Sequence, residues 1–270
     1  MRMMSFAKRT FKEIIRDPLT LFFGLGFPSV LILLLSAIQA NIPVSIFEID
    51  SLAPAMTVFG LSFITLFSAT IIAKDRESAF LQRLYATPMR AVDFILGYTL
   101  PILPIAVMQS VVCFALGAIL GMTVTVNILY AILFIIPISI FFIALGLLFG
   151  SILNQKQVGG ICGALLTNLS AWLSGIWFDL ELVGGAFKRI AYTLPFVHAV
   201  ELERAVSRGD FGEIFPHILW VLGYALVAVI GSQSERIPRV TMPCRQWTIW
   251  CVQHSYGMLL TYISIRDEMG

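Results

Sequence analysis

Residues 74–93, Lys74-Asp-Arg-Glu-Ser-Ala-Phe-Leu-Gln-Arg-Leu-Tyr-Ala-Thr-Pro-Met-Arg-Ala-Val-Asp93, decide how this chain is read. They form a compact charged stretch between two apolar runs, 52–73 and 94–120, neither of which contains Asp, Glu, Lys, Arg or His. The expected structure is a short basic helix at the ends of two membrane-crossing helices, well placed to receive a push from a soluble partner. Transport is the first function class such a placement raises.

Composition supports the membrane reading. The chain has 270 residues, 58% hydrophobic and 13% charged, with a mean hydropathy of +0.89. A soluble domain of this length could not shield so much apolar surface from water. Crossing the hydrocarbon takes about 20 apolar residues as a helix, and six segments approach or exceed that: 18–39, 52–73, 94–120, 128–153, 158–178 and 216–234. No segment shows the period-2 alternation of a membrane barrel. The fold expected is therefore all-α, a polytopic membrane protein with six transmembrane helices.

The distribution of Lys and Arg sets an expected orientation. Arg2, Lys8, Arg9, Lys12 and Arg16 precede the first span, Lys74, Arg76, Arg83 and Arg90 lie in the 74–93 loop, and Lys156 lies in the 154–157 loop. Loops 40–51 and 121–127 carry neither residue type. The positive-inside bias then places the N-terminus and the 74–93 and 154–157 loops in the cytoplasm, in a cell or inner membrane. The first apolar run is long for a signal peptide and lacks a clear small-residue cleavage site, so it is read as a retained span.

Within residues 6–16, Ala7, Phe11, Ile14 and Ile15 recur at helical spacing opposite Lys8, Arg9, Lys12, Glu13 and Arg16, the pattern of an interfacial helix. Asp17-Pro18 supplies a capping residue and a proline at the first helical position. Gly146-x-x-x-Gly150 and Gly159-x-x-x-Gly163 allow close helix approach, read as packing within the chain. Residues 179–215 mix charged and apolar groups and are expected to form one or two amphipathic helices at the outer face, broken near Pro195. Residues 1–234 are taken as one transmembrane domain. Residues 235–270 shift abruptly in composition and read as an atypical tail, with a reading-frame change in the encoding DNA as one origin.

Several chemistries lack their residues. No lysine follows a glycine, so no G-x-x-x-x-G-K-[ST] phosphate loop exists and ATP hydrolysis by this chain is not expected. His198 and Glu201 can share a helical face, but a metal site needs more ligands. Cys113 and Cys162 fall in spans and read as small apolar residues. The first five spans hold no ionisable side chain, which disfavours proton-coupled transport and leaves sodium coupling open. Their polar residues include Thr99, Gln109, Asn168 and Ser170, candidates either for interhelical bonds or for lining a pathway.

Taken together, the interfacial N-terminal helix, six spans, charged inter-span helix and amphipathic outer segment resemble the ABC-2 family of ABC transporter permeases. The motif that carries the resemblance runs from Asp75-Arg76-Glu77 to Leu84-Tyr85-Ala86-Thr87-Pro88, similar to the family's cytoplasmic loop, with Arg16-Asp17-Pro18 and Pro195 in support. It covers residues 1 to about 230 and is nearest the drug- and antibiotic-export branch that includes daunorubicin-resistance permeases. The resemblance implies a permease that exports amphiphilic molecules and works as a homodimer or heterodimer with a second permease copy. Separate ATP-binding subunits would hold the ATP and magnesium, and this chain would bind neither cofactor nor nucleic acid. Residues 76–88 would be the coupling helix, with Arg76, Glu77, Gln82 and Arg83 as polar contacts and Phe80, Leu81, Leu84 and Tyr85 as an apolar ridge. Two other classes stay open: a non-transporting scaffold or sensor that recruits a cytoplasmic partner, and a sodium-coupled carrier.

Overall fold

The computed structural model describes residues 2–43, 47–78, 80, 91–178 and 180–234, and every regular element among them is helical. These residues fall almost entirely in one compact unit, Met1–Ser232. Helix α1 (Arg2–Ile15) precedes α2 (Pro18–Leu21), a π-helical stretch (Phe22–Gly26) and α3 (Phe27–Gln39). Long helices follow: α4 (Ile49–Glu77), α5 (Ala91–Ile119) and α6 (Asn127–Ile152). Then come α7 (Gln155–Val158), a π-helical stretch (Gly159–Leu166), α8 (Thr167–Leu173), α9 (Leu180–Val183), α10 (Gly185–Thr193), α11 (Pro195–Arg208) and α12 (Ile214–Ser234).

Five helices are long and apolar enough to cross a membrane: Phe22–Gln39, Ile49–Glu77, Val92–Ile119, Asn127–Ile152 and Ile214–Ser232. The expected span 158–178 is instead divided among α7, the second π stretch and α8. The first π stretch has a local cause. Pro28 has no N–H to donate, and its ring displaces the carbonyl four residues earlier, so a wider turn ahead of it accommodates the mismatch.

Helix α4 is the centre of the bundle. Of residues 52–73 only Leu66 and Thr70 are less than fully buried, so the helix is apolar all round because it is covered all round. By contrast, α3 exposes Val30, Leu33 and Leu34, and α12 exposes Leu219, Leu222, Leu226, Val227 and Ile230. Such one-sided apolar faces suit contact with lipid.

Small residues let α6 approach α4 closely. A Cβ at Gly150 would lie 2.8 Å from the Ala69 carbonyl oxygen, and one at Gly146 would lie 2.8 Å from that of Thr65. Thr65 Oγ1 donates across the same seam to the Phe142 carbonyl at 2.8 Å. The 146/150 pair therefore packs within the chain, whereas Gly159 faces open space and Gly163 lies against Leu66.

Two sets of fastenings mark opposite ends of α4. At its start, Asp50 Oδ1 accepts from Thr123 N and Oγ1 at 2.9 and 3.0 Å. There too Arg204 donates to the carbonyls of Ser51 and Gly175 at 3.4 and 3.3 Å. At its far end α4 meets α1, the end of α6 and Gln155. The helical run from Gln155 to Leu173 thus begins beside the end of α4 and finishes near its start.

Three expectations are revised by these bounds. Lys74–Glu77 form the last turn of α4, not a separate helix, because their partners lie on distant segments and extend the helix past its apolar run. The described residues of the 179–215 segment, expected outside, include three helices, α9 to α11, with the expected break falling at Leu194: its ψ of 151° is the extended geometry a following proline imposes, and Pro195 opens α11. In α1 the protein-facing stripe is Phe6, Ala7, Thr10 and Ile14, whereas Phe11 and Ile15 are exposed. Thr10 tolerates burial because its hydroxyl donates to the Phe6 carbonyl at 3.2 Å.

Candidate functional site

The last turn of α4 carries three consecutive charged residues, and successive residues of a helix point about 100° apart. Asp75, Arg76 and Glu77 accordingly reach three different segments.

Asp75 is 1% exposed. Its two carboxylate oxygens accept from the Arg9 guanidinium at 2.6 and 2.7 Å, a bidentate arrangement that fixes orientation as well as charge. The buried Tyr98 hydroxyl donates to Asp75 Oδ2 at 2.8 Å. Arg9 also pairs with Glu13 at 2.9 Å and lies 4.2 Å from the centre of the Phe80 ring. The hydrogen bond to Asp75, more than any other influence, raises the Arg9 pKa above its ordinary value. A second tie joins Lys74 Nζ to Glu13 Oε1 at 2.7 Å.

An aromatic group completes the α1 dock. Phe6 meets Tyr98 edge-on at 4.8 Å and lies 6.1 Å from both Phe94 and Phe80. Gly97 is required there, since a Cβ at that position would overlap the Phe6 ring.

Arg76 turns toward α6. Its guanidinium donates to the carbonyls of Ser151 and Leu153, groups that the end of a helix leaves without partners. A cation is also favoured there by the helix dipole. Glu77 turns toward α7, where Oε1 accepts from Gln155 N at 2.8 Å. That N–H is one of the unpartnered donors of a helix start, whose dipole favours an anion. Asn154 and Gln157 close the same turn as a reciprocal capping box.

One helical turn therefore joins α1, the end of α6 and the start of the α7–α8 run, and the chain leaves it directly into 78–90. Of the coupling residues expected from the sequence, Arg76 and Glu77 make these bonds and Phe80 packs against Phe6 and Arg9. Leu81, Gln82, Arg83, Leu84 and Tyr85 lie outside the described residues. In the sequence Arg76 and Glu77 read as contacts to a partner, Arg9 as part of the polar face of α1 and Asp75 as the start of the loop motif; the pairing of Arg9 and Tyr98 with Asp75 is not visible there. Separations of 66 residues for Arg9–Asp75 and 77 for Arg76–Leu153 explain why.

The structure does not gather the candidate pathway residues into one polar-bonded group. Gln109 Nε2 donates to the Thr57 carbonyl at 3.0 Å, while its Oε1 is buried without a hydrogen-bond partner, as is the neighbouring Ser110 Oγ. Thr99 is half-buried. Asn168 and Ser170 bond to their own helical run, at Ala164 O and Thr167 O.

Helices α11 and α12 hold two features, a His198–His217 pair and a buried Glu203, that the sequence pattern does not reveal. His198 Nε2 lies 3.0 Å from the Tyr192 carbonyl, which can only accept, so the neutral ring's Nδ1 accepts from His217 Nδ1 at 2.8 Å. Burial lowers the His198 pKa, in keeping with a neutral ring. Glu203 is fully buried in α11 with neither carboxyl oxygen hydrogen-bonded, and burial pushes its pKa well above the ordinary value.

A bundle of apolar helices, tied by a charged joint to an amphipathic N-terminal helix, defines a multi-pass membrane protein. The family model for ABC-2 type transporters matches residues 2–206, and the chain belongs to that family. No curated protein matches it. Members of this family are the membrane component of ABC transporters and normally pair with an ATP-binding subunit.

Proposed function

We propose that this chain is the permease subunit of an ATP-driven exporter that moves amphiphilic small molecules outward, with ATP and magnesium held by a separate subunit. The observation that carries this reading is the Asp75-Arg76-Glu77 joint. A displacement applied to 78–90 meets a turn bonded to three other segments, so it is delivered to the bundle as a whole. The docking surface is assigned to residues 76–88, with Gln82 and Arg83 as polar contacts and Leu81, Leu84 and Tyr85 as the apolar ridge. Arg76, Glu77 and Phe80 connect that surface to the bundle.

Six crossings fit this role, the α7–α8 run being the fifth. Its first residue bonds to Glu77 and the turn beyond it bonds to Arg204, which also reaches Ser51. The run therefore spans much of the length of α4. With the basic loops inside, the N-terminus and the joint face the cytoplasm of a cell membrane. A pathway with few polar groups suits an amphiphile better than an ion, and Gln109, with its unused acceptor, is the polar residue assigned to it. The permease acts as a dimer with a second copy of this or a related chain.

The test is reconstitution in vesicles with and without an ABC ATP-binding subunit from the same cells, following a fluorescent amphiphile. ATP-dependent movement that needs both chains is expected. Movement driven by a sodium gradient without nucleotide would favour a carrier instead. Capture of the partner with no transport of any amphiphile would favour a scaffold.

A further inference from the structure

Beside the joint lies a cleft of about 910 Å³ between α1 and the end of α4, a volume in the range of small-ligand sites. Five cationic side chains and two carboxylates line it. Arg9 and Lys74 are neutralised by Asp75 and Glu13, and Asp17 is the second carboxylate of the wall. Lys8, Lys12 and Arg16 have no carboxylate partner among the described residues. They follow one another at intervals of four, forming a single stripe.

The floor of the cleft is of a different kind. From Lys74 it runs back along α4 through Ile71 and Thr70 to Phe67, roughly 10 Å toward the middle of the span. Ile14 of α1 and Pro18 add apolar surface to the lining. A cationic rim at the end of the spans, over an apolar floor inside them, matches an anionic head group with acyl chains attached. A soluble anion would use the rim and leave the floor idle.

We infer that this cleft binds an anionic phospholipid from the surrounding leaflet, its phosphate held by Lys8, Lys12 and Arg16 and its chains against Phe67 and Ile71. The lipid would brace α1 against α4 next to the joint. This site is independent of which cargo is carried and of how ATP-driven motion enters.

The experiment titrates the purified chain in neutral detergent with phosphatidylglycerol or phosphatidylcholine and counts retained lipids by native mass spectrometry. Phosphatidylglycerol is expected to bind at least about 10-fold tighter, with one molecule retained preferentially per chain. Each basic side chain near an anionic head group contributes roughly fivefold. The combined Lys8→Gln, Lys12→Gln and Arg16→Gln variant should therefore lose about 100-fold, and its substituted side chains are exposed, so folding is not at stake. Thr70→Trp fills the cleft without changing charge and should lose binding as well, whereas Lys156→Gln, outside the cleft, should not. Equal retention of both lipids would overturn the inference. So would wild-type binding by a folded Thr70→Trp protein, an equal loss in Lys156→Gln, or displacement of the lipid by inorganic phosphate or by the ATP-binding subunit.

Discussion

Replacing Arg9 with glutamine is expected to loosen α1 from the bundle. Asp75 receives two of its three hydrogen bonds from Arg9, at 2.6 and 2.7 Å, and is 1% exposed. Hydrogen bonds to charged groups contribute about 1.5–3 kcal/mol each. The Arg9 side chain is 37% exposed, and solvent screening takes the lower end of that range, about 3 kcal/mol for the pair. One neutral hydrogen bond from glutamine returns about 1 kcal/mol, leaving a loss of about 2 kcal/mol. When opening is fast relative to cleavage, proteolysis follows the open population. Tryptic cleavage at Lys8 and Lys12 should then accelerate roughly 30-fold. Asp75→Asn should act similarly, and the double variant should be less affected than the two single effects combined. Wild-type cleavage rates in both single variants, or strict additivity in the double, would refute the ion pair as the clamp on α1.

Other consequences follow from the packing. Gly97→Ala should destabilise the protein by about 1–3 kcal/mol through overlap with the Phe6 ring, and Phe6→Ala added to it should restore part of the loss in detergent melting curves. Gly146→Val should be more damaging, since its side chain would meet Ser68 and the Thr65 carbonyl on the central helix; a sharp drop in monodisperse yield on size exclusion is the expected readout. Glu203 gives a pH dependence. Its folded pKa is raised above the ordinary 4.5, so its contribution is complete below that value and is lost as pH rises through the folded pKa. Glu203→Met should flatten that decline and, by removing an unsatisfied buried group, stabilise by about 1–3 kcal/mol near pH 7, as seen in melts at acidic and neutral pH.

The long apolar helices were legible in the sequence because their apolar runs have a length that little else explains. Their limits were less so. Lys74–Glu77 read in one dimension as the start of a separate charged helix, and only Glu13, Arg9, Ser151, Leu153 and Gln155, all remote in sequence, give that turn a reason to continue α4. The stripe of α1 was half read: Ala7 and Ile14 were placed correctly, but Phe11 and Ile15 belong to the outer face, and polar Thr10 is hidden by bonding to its own backbone. The 158–178 run was identified as apolar, yet nothing in its composition announces the π-helical stretch. Glu203 lies in a segment that reads as amphipathic, yet it is buried; charge is an unreliable guide where the other face of a helix is covered. The motif Asp75-Arg76-Glu77 was recognised as important, while its partners required the fold.

The most direct test of the joint as the point where ATP-driven motion enters is the number of cargo molecules moved per ATP hydrolysed by the reconstituted complex. Glu77→Ala removes one exposed hydrogen bond, to Gln155, and should leave the fold and the partner's ATP hydrolysis intact. Transport per ATP is expected to fall at least about 10-fold in that variant. An unchanged ratio, with the variant folded and the complex assembled, would contradict it.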